Sequence, residues 1–191
     1  MGKRSFFPRL ALVNLVRNSR YYGPYLLSCG ALAAMYYILR FLTWNEVIQT
    51  VRGTAYLQVM MSIGCFVVAL FSTVLLLYAN SFVMKRRQKE LGLYNILGLE
   101  KRHIAALCFW ETLLCAAVVI PGGIAAGILL SKLILLLLLK LVQIPVQFGF
   151  SVSVRGVGET AALLGVLFLL ALLWNLLRLG RSRPIELLHS D

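Results

Sequence analysis

The chain has 191 residues, 60% of them hydrophobic, and a mean hydropathy of +0.85. A soluble domain is nearer about 45–50% apolar, and no core of this size hides so many leucines behind a polar surface. The composition therefore excludes a soluble globular fold and indicates an all-α integral membrane protein. The formal net charge of +12 resides in short basic runs beside apolar stretches, which is how membrane topology is written rather than how nucleic acid is bound.

In chain order, residues 1–24 come first, with "GKRSFFPRLALVNLVRNSRYYGP" at their heart. Phe7, Leu10, Ala11 and Asn14 share one helical face, Val13 and Leu15 lie near it, and basic residues flank it. The segment reads as an amphipathic helix at the inner leaflet. It reads equally as an orientation signal, and the two are compatible. The first twenty residues lack an apolar h-region, so no cleavable signal is expected.

Four windows approach the ~20 residues that a helix needs to cross the hydrocarbon. The first runs from Tyr25 to about Thr43, with Arg40 near its far end, where it can snorkel to the headgroups. The second runs from about Tyr56 to Met84. The third starts near Ile104 and passes through Pro121-Gly122-Gly123. These could split it into a hairpin of two arms, each of about 16 residues and short for a span. The fourth covers about Thr160 to Leu179.

Charge decides the number of spans. Four spans put the basic N-terminus, residues 85–103 and the C-terminal Arg178, Arg181 and Arg183 on one side, as the positive-inside rule favours. The expected organisation is thus an amphipathic segment 1–24, a four-span domain 25–179 and a tail 180–191. The spans are 25–43, 56–84, 104–131 extending to 140, and 160–179, the third being one long helix bent at Pro121. The connection "VQIPVQFGFSVSVRG" has alternating apolar character and reads as a small extended flap.

One stretch breaks the apolar pattern. "KRRQKELGLYNILGLEKRHI", residues 85–104, carries Lys85, Arg86, Arg87, Lys89, Lys101, Arg102 and His103 around a short apolar centre. Leu93, Ile96 and Leu97 share a face, Tyr94 and Leu99 flank it, and Gly98 is placed to end the helix. Too short to span, this amphipathic helix either lies on the lipid surface or docks in the groove of a cytoplasmic partner.

Candidate chemistry is sparse. Cys29, Cys65, Cys108 and Cys115 lie in apolar stretches without a CxxC pair and read as packing residues. His103 and His189 have no ligand-like spacing, so no metal site is expected. The chain holds no GxxxxGK[ST], no HExxH and no Ser/His/Asp arrangement, so it is expected to be neither an ATPase nor a hydrolase. Glu111 is the exception. About two turns into the third span, roughly 10 Å of rise, its carboxylate is costly and faces protein, cavity or the inner interface. It could hold the span against basic residues of the N-terminal helix or of residues 85–103. Asn80 and Asn175 read as interhelical hydrogen-bonding residues, and Gly122, Gly123 and Gly127 offer small-residue spacing for close helix contact, with hinge action beside Pro121 second.

"YANSFVMKRRQKELGLYNILGLEKRHI" resembles the second span and following cytoplasmic loop of FtsX-like permeases, most closely those of bacitracin and antimicrobial-peptide resistance ABC transporters. The shared features are the basic run, Glu90-Leu91-Gly92-Leu93-Tyr94, Leu97-Gly98, Glu111, and the small residues Gly122, Gly123 and Gly127. "NLVRNSRYY" and "RSRPIELL" are also similar. The resemblance implies a multi-pass bacterial cell-membrane protein with both termini cytoplasmic. Residues 85–103 would be the coupling helix, seated on a separate cytoplasmic ATPase through Lys89, Glu90, Leu93, Tyr94, Ile96, Leu97 and Gly98. This chain would carry no cofactor; ATP and Mg would sit on the ATPase. Such permeases are usually several times longer, with more spans and a large extracellular domain, so either a truncated or split permease or a chain paired with another that supplies the rest is expected; a second permease half, a further copy of this chain or a membrane sensor kinase are the partners implied. A different class of function, a small membrane scaffold or sensor-kinase regulator, is the alternative.

Overall fold

The computed structural model describes residues 6–45, 54–96, 101–141 and 152–181. Its elements are α1 (Phe6–Arg17), α2 (Ser19–Thr43), α3 (Thr54–Ile96), α4 (Lys101–Leu141) and α5 (Val154–Arg181), and no strand occurs among the described residues. Among the described residues, four helices are long and apolar enough to cross a membrane: Ser19–Thr43, Ala55–Arg87, Arg102–Leu138 and Val154–Leu179. The four-span, all-helical architecture is therefore present.

The helix boundaries follow local chemistry. Pro8 falls in the first turn of α1, where its missing N–H would have had no intrahelical acceptor. Asn18 separates α1 from α2: its N–H donates to the Asn14 carbonyl at 2.9 Å, and its own carbonyl accepts from the N–H groups of Tyr21 and Tyr22. The second helix thus begins at Ser19, six residues before the expected Tyr25, and continues through Pro24. Ser153 caps α5, its Oγ accepting from the N–H of Gly156 at 3.1 Å, the usual bond from the cap to the third helical residue. This cap starts α5 at Val154, so residues 154–156, expected in the flap, and 157–159, expected before the span, form its first turns. The rest of that flap, residues 142–151, lies outside the described residues, as do the tail from 182 onward and His189.

Two runs are unbroken. The α4 helix passes through Pro121 without interruption. The α3 helix continues past the expected end at Met84 to Ile96, so residues 85–96 of the amphipathic segment are helix continuous with the preceding span.

Four threonine hydroxyls within the spans are satisfied locally. Thr43, Thr73, Thr112 and Thr160 each donate to the carbonyl four residues earlier, at 2.7–2.9 Å. Bilayer hydrocarbon offers no other acceptor.

The chain divides into two compact units. In the unit formed by Ser28–Thr73 and Val119–Gly165, the core is Tyr37, Phe41, Leu42 and Ile124. Here α4 lies against α2 at small residues. A Cβ added at Gly123 would collide with Ala33 Cβ and come within 3.0 Å of the Gly30 carbonyl oxygen, and one at Gly127 would lie 3.1 Å from Ala34 Cα. Gly122 has nothing within 4 Å of such a Cβ and is exposed, like Pro121. Gly123 and Gly127 are thus the packing pair. Arg40, expected to snorkel, is ion-paired with Glu159.

The other unit comprises Met1–Leu27, Val74–Val118 and Val166–Asp191. Ile104, Cys108 and Leu179 form a cluster here, with Met84 and Ala105 against it. Ala11 and Asn14 of α1 are buried, while Leu12, Val13 and Val16 are exposed. The face expected to meet lipid is therefore packed on protein at these two positions, because small Ala11 admits close approach and Asn14 finds a buried partner in Glu111.

Candidate functional site

The buried residues of α3 trace one stripe. Ser72, Leu76, Asn80, Val83 and Arg87 are covered, at helical spacings of three and four. Most neighbouring side chains, including Phe71, Val74, Leu75, Tyr78 and Phe82, are exposed, as a lipid-facing helix requires. On α4 a matching stripe carries Ile104, Cys108, Glu111 and Cys115.

The two stripes bring charge together. Arg87 and Glu111, 1% and 4% exposed, form an ion pair through Arg87 Nη1 and Glu111 Oε2. The same Nη1 donates to the Tyr22 hydroxyl at 2.7 Å. The second carboxylate oxygen accepts from Asn14 Nδ2 at 3.3 Å. One cluster thus joins α1, α2, α3 and α4. A lone buried charge is strongly disfavoured, and the pairing with further hydrogen bonds offsets the cost of desolvation.

A second polar contact lies on the same stripe. Asn80 and Asn175 exchange two hydrogen bonds, at 2.8 and 3.1 Å, joining α3 to α5. A small cavity is lined by Tyr22, Asn80, Glu111, Thr112, Cys115 and Asn175, among others. All four cysteines are buried.

The residues expected to meet a partner fall on the end of α3. Lys89, Glu90, Leu93, Tyr94 and Ile96 lie in its helical backbone, and Leu97 and Gly98 lie outside the described residues. Arg87, grouped by the sequence with the basic flank, departs from it. Lys85 and Arg86 are exposed, whereas Arg87 turns inward. Its signal was its phase: it lies seven residues after Asn80, so an inward Asn80 carries Arg87 inward too. Tyr22 was not singled out, and nothing in its local sequence marks it as a partner of Arg87.

Residues 62–184 match the family model described as FtsX-like permease C-terminal. The chain belongs to the FtsX-like permease family. This FtsX-like permease is 30% identical over 171 residues to the bacitracin export permease protein BceB of Bacillus subtilis, covering 87% of the present chain and 26% of that protein. It is 27% identical over 180 residues to BceB of Halalkalibacterium halodurans, covering 94% and 28%. It is also 25% identical over 183 residues to the uncharacterized ABC transporter permease YvcS of Bacillus subtilis, covering 95% and 28%. The chain thus spans 26–28% of the length of these relatives. Membership in this family and the four apolar helices make it a multi-pass membrane protein.

Proposed function

We propose that this FtsX-like permease chain is membrane machinery of an ABC transporter, serving antimicrobial-peptide resistance or the handling of cell-envelope lipids. A separate cytoplasmic ATPase seats on the segment joining α3 to α4, and both termini lie on that same side. The names of the relatives support the transporter class. The observation that carries the coupling role is the continuity of α3: one helix runs from the span to Ile96, and nine residues before that end it is held to α4 by Arg87 and Glu111. A rigid element joined to a span passes on a rigid-body shift. The exposed Lys85 and Arg86 favour an anionic docking surface and fix register on it.

The test is a pull-down of the ATPase subunit from native membranes with the wild type and with the double substitution Leu93→Ser/Leu97→Ser, with membrane insertion checked in both. Burying an apolar anchor contributes about 1.5–3 kcal/mol, so losing two should weaken capture by about 10²-fold or more. Equal capture by both chains, or none by either, would refute the coupling reading and favour a membrane scaffold.

A further inference from the structure

A charged and aromatic cluster lies at the ends of two spans. Arg40 and Trp44 stand at the C-terminal end of α2, Arg155 and Glu159 in the first turns of α5, where the candidate spans Ser19–Thr43 and Val154–Leu179 end and begin. Glu159 is shared: Arg40 pairs with one carboxylate oxygen, and Arg155 Nε donates to the other at 3.2 Å. The Arg155 guanidinium also lies over the Trp44 ring, 3.6 Å from its centroid, and Arg40 lies 5.9 Å from the centroid of Tyr36.

Two guanidiniums face one carboxylate, so the cluster retains a positive charge. Arg155 is held flat by the indole and fixed at one edge by Glu159, and its side chain is 64% exposed. Among the described residues no acceptor meets its Nη atoms. A guanidinium fixed in this way presents a planar two-donor fork, the geometry that matches a phosphate. Trp and Tyr at a span end mark headgroup depth, where phosphates of the bilayer lie.

We propose that Arg155, stacked on Trp44 and steadied by Glu159 and Arg40, is a binding site for the phosphate of an anionic phospholipid headgroup. Arg155 supplies the paired donors, Trp44 fixes their plane and meets the lipid's glycerol region, and Arg40 keeps Glu159 from cancelling the charge of Arg155. The inference goes beyond the transporter reading and is independent of it, requiring only that the four helices span a bilayer.

The test is native mass spectrometry of the full chain released from vesicles of phosphatidylglycerol and phosphatidylcholine in equal amounts. The wild type should retain phosphatidylglycerol preferentially, by about fivefold for one well-placed cation. Arg155→Gln should bring retention to near parity. Arg155→Lys, which keeps the charge and loses the fork, should fall between them. Equal retention of both lipids by the wild type, or undiminished preference in Arg155→Gln, overturns the proposal. Displacement of the lipid by millimolar inorganic phosphate as readily as by phosphatidylglycerol overturns the lipid assignment in favour of a free phosphate.

Discussion

Arg87 and Glu111 meet as a buried ion pair, 24 residues apart in sequence, one near the end of the α3 span and the other on α4. Removing one partner of such a pair leaves the other charged and uncompensated, whereas replacing both with apolar groups removes the penalty. Glu111→Leu or Arg87→Met alone is expected to destabilise by about 3–5 kcal/mol. The double substitution should recover most of that loss, and Glu111→Gln, whose single oxygen still accepts one of the two bonds, should be milder than Glu111→Leu. Thermal unfolding in detergent measures all four; small and equal effects throughout would show a solvated carboxylate.

The glycines of α4 separate by position. Gly123→Ala would drive a methyl into Ala33 and toward the Gly30 carbonyl, and overpacking of this kind costs about 1–3 kcal/mol. Gly122→Ala meets nothing and should be neutral or slightly stabilising through helix propensity. A melting-temperature comparison of the two variants decides; identical behaviour would contradict the close approach of α4 to α2.

Asn80 and Asn175 are expected to be coupled. Double-mutant cycles in membrane proteins give about 0.6 kcal/mol for an interhelical hydrogen bond, reaching about 1.7, and this pair exchanges two. A cycle built from Asn80→Leu and Asn175→Leu should therefore show about 1–2 kcal/mol of coupling. Simple additivity would mean that the amides act separately.

Orientation is open to direct labelling. The basic residues cluster at the termini and in residues 85–103, which the positive-inside rule assigns to the cytoplasm. Arg86 and Val152 are both exposed, so in a background lacking the four native cysteines they make suitable probes. An impermeant thiol reagent on intact cells should label Val152→Cys and spare Arg86→Cys; the reverse pattern would invert the topology.

Much of this architecture could be read from the sequence, and the remainder has physical causes. The spans stood out because apolar runs of the required length are unmistakable, and Glu111 because a carboxylate inside one of them is costly. Helix ends were harder. The start of α5 depends on a single hydroxyl, that of Ser153, and α3 continues past Met84 because Lys, Arg, Gln, Glu and Leu are good helix formers with polarity but no break. The partner of Glu111 was the least legible feature. Seven basic or imidazole side chains lie between 85 and 103 with similar composition around them, and only the phase set by Ser72, Leu76, Asn80 and Val83 distinguishes Arg87. Asn14 lies on the local face of Phe7, Leu10 and Ala11, but nothing in that pattern marks Glu111 as its partner, and Tyr22 joins the cluster through packing that no local pattern encodes.

The unbroken run of α3 from Arg87 to Ile96 also fixes an angular relation. Each residue turns the helix by about 100° and advances it by about 1.5 Å. The azimuth of backbone positions 93 and 96 around the helix axis is therefore set by the direction in which Arg87 is held. One residue inserted between them would swing the distal face about 100° around the axis while lengthening the helix by only about 1.5 Å. Four inserted residues would return it to within about 40° at the cost of about 6 Å. For the docking proposed above, the length of this stretch would thus act as a gear setting, in which rotational phase matters more than reach.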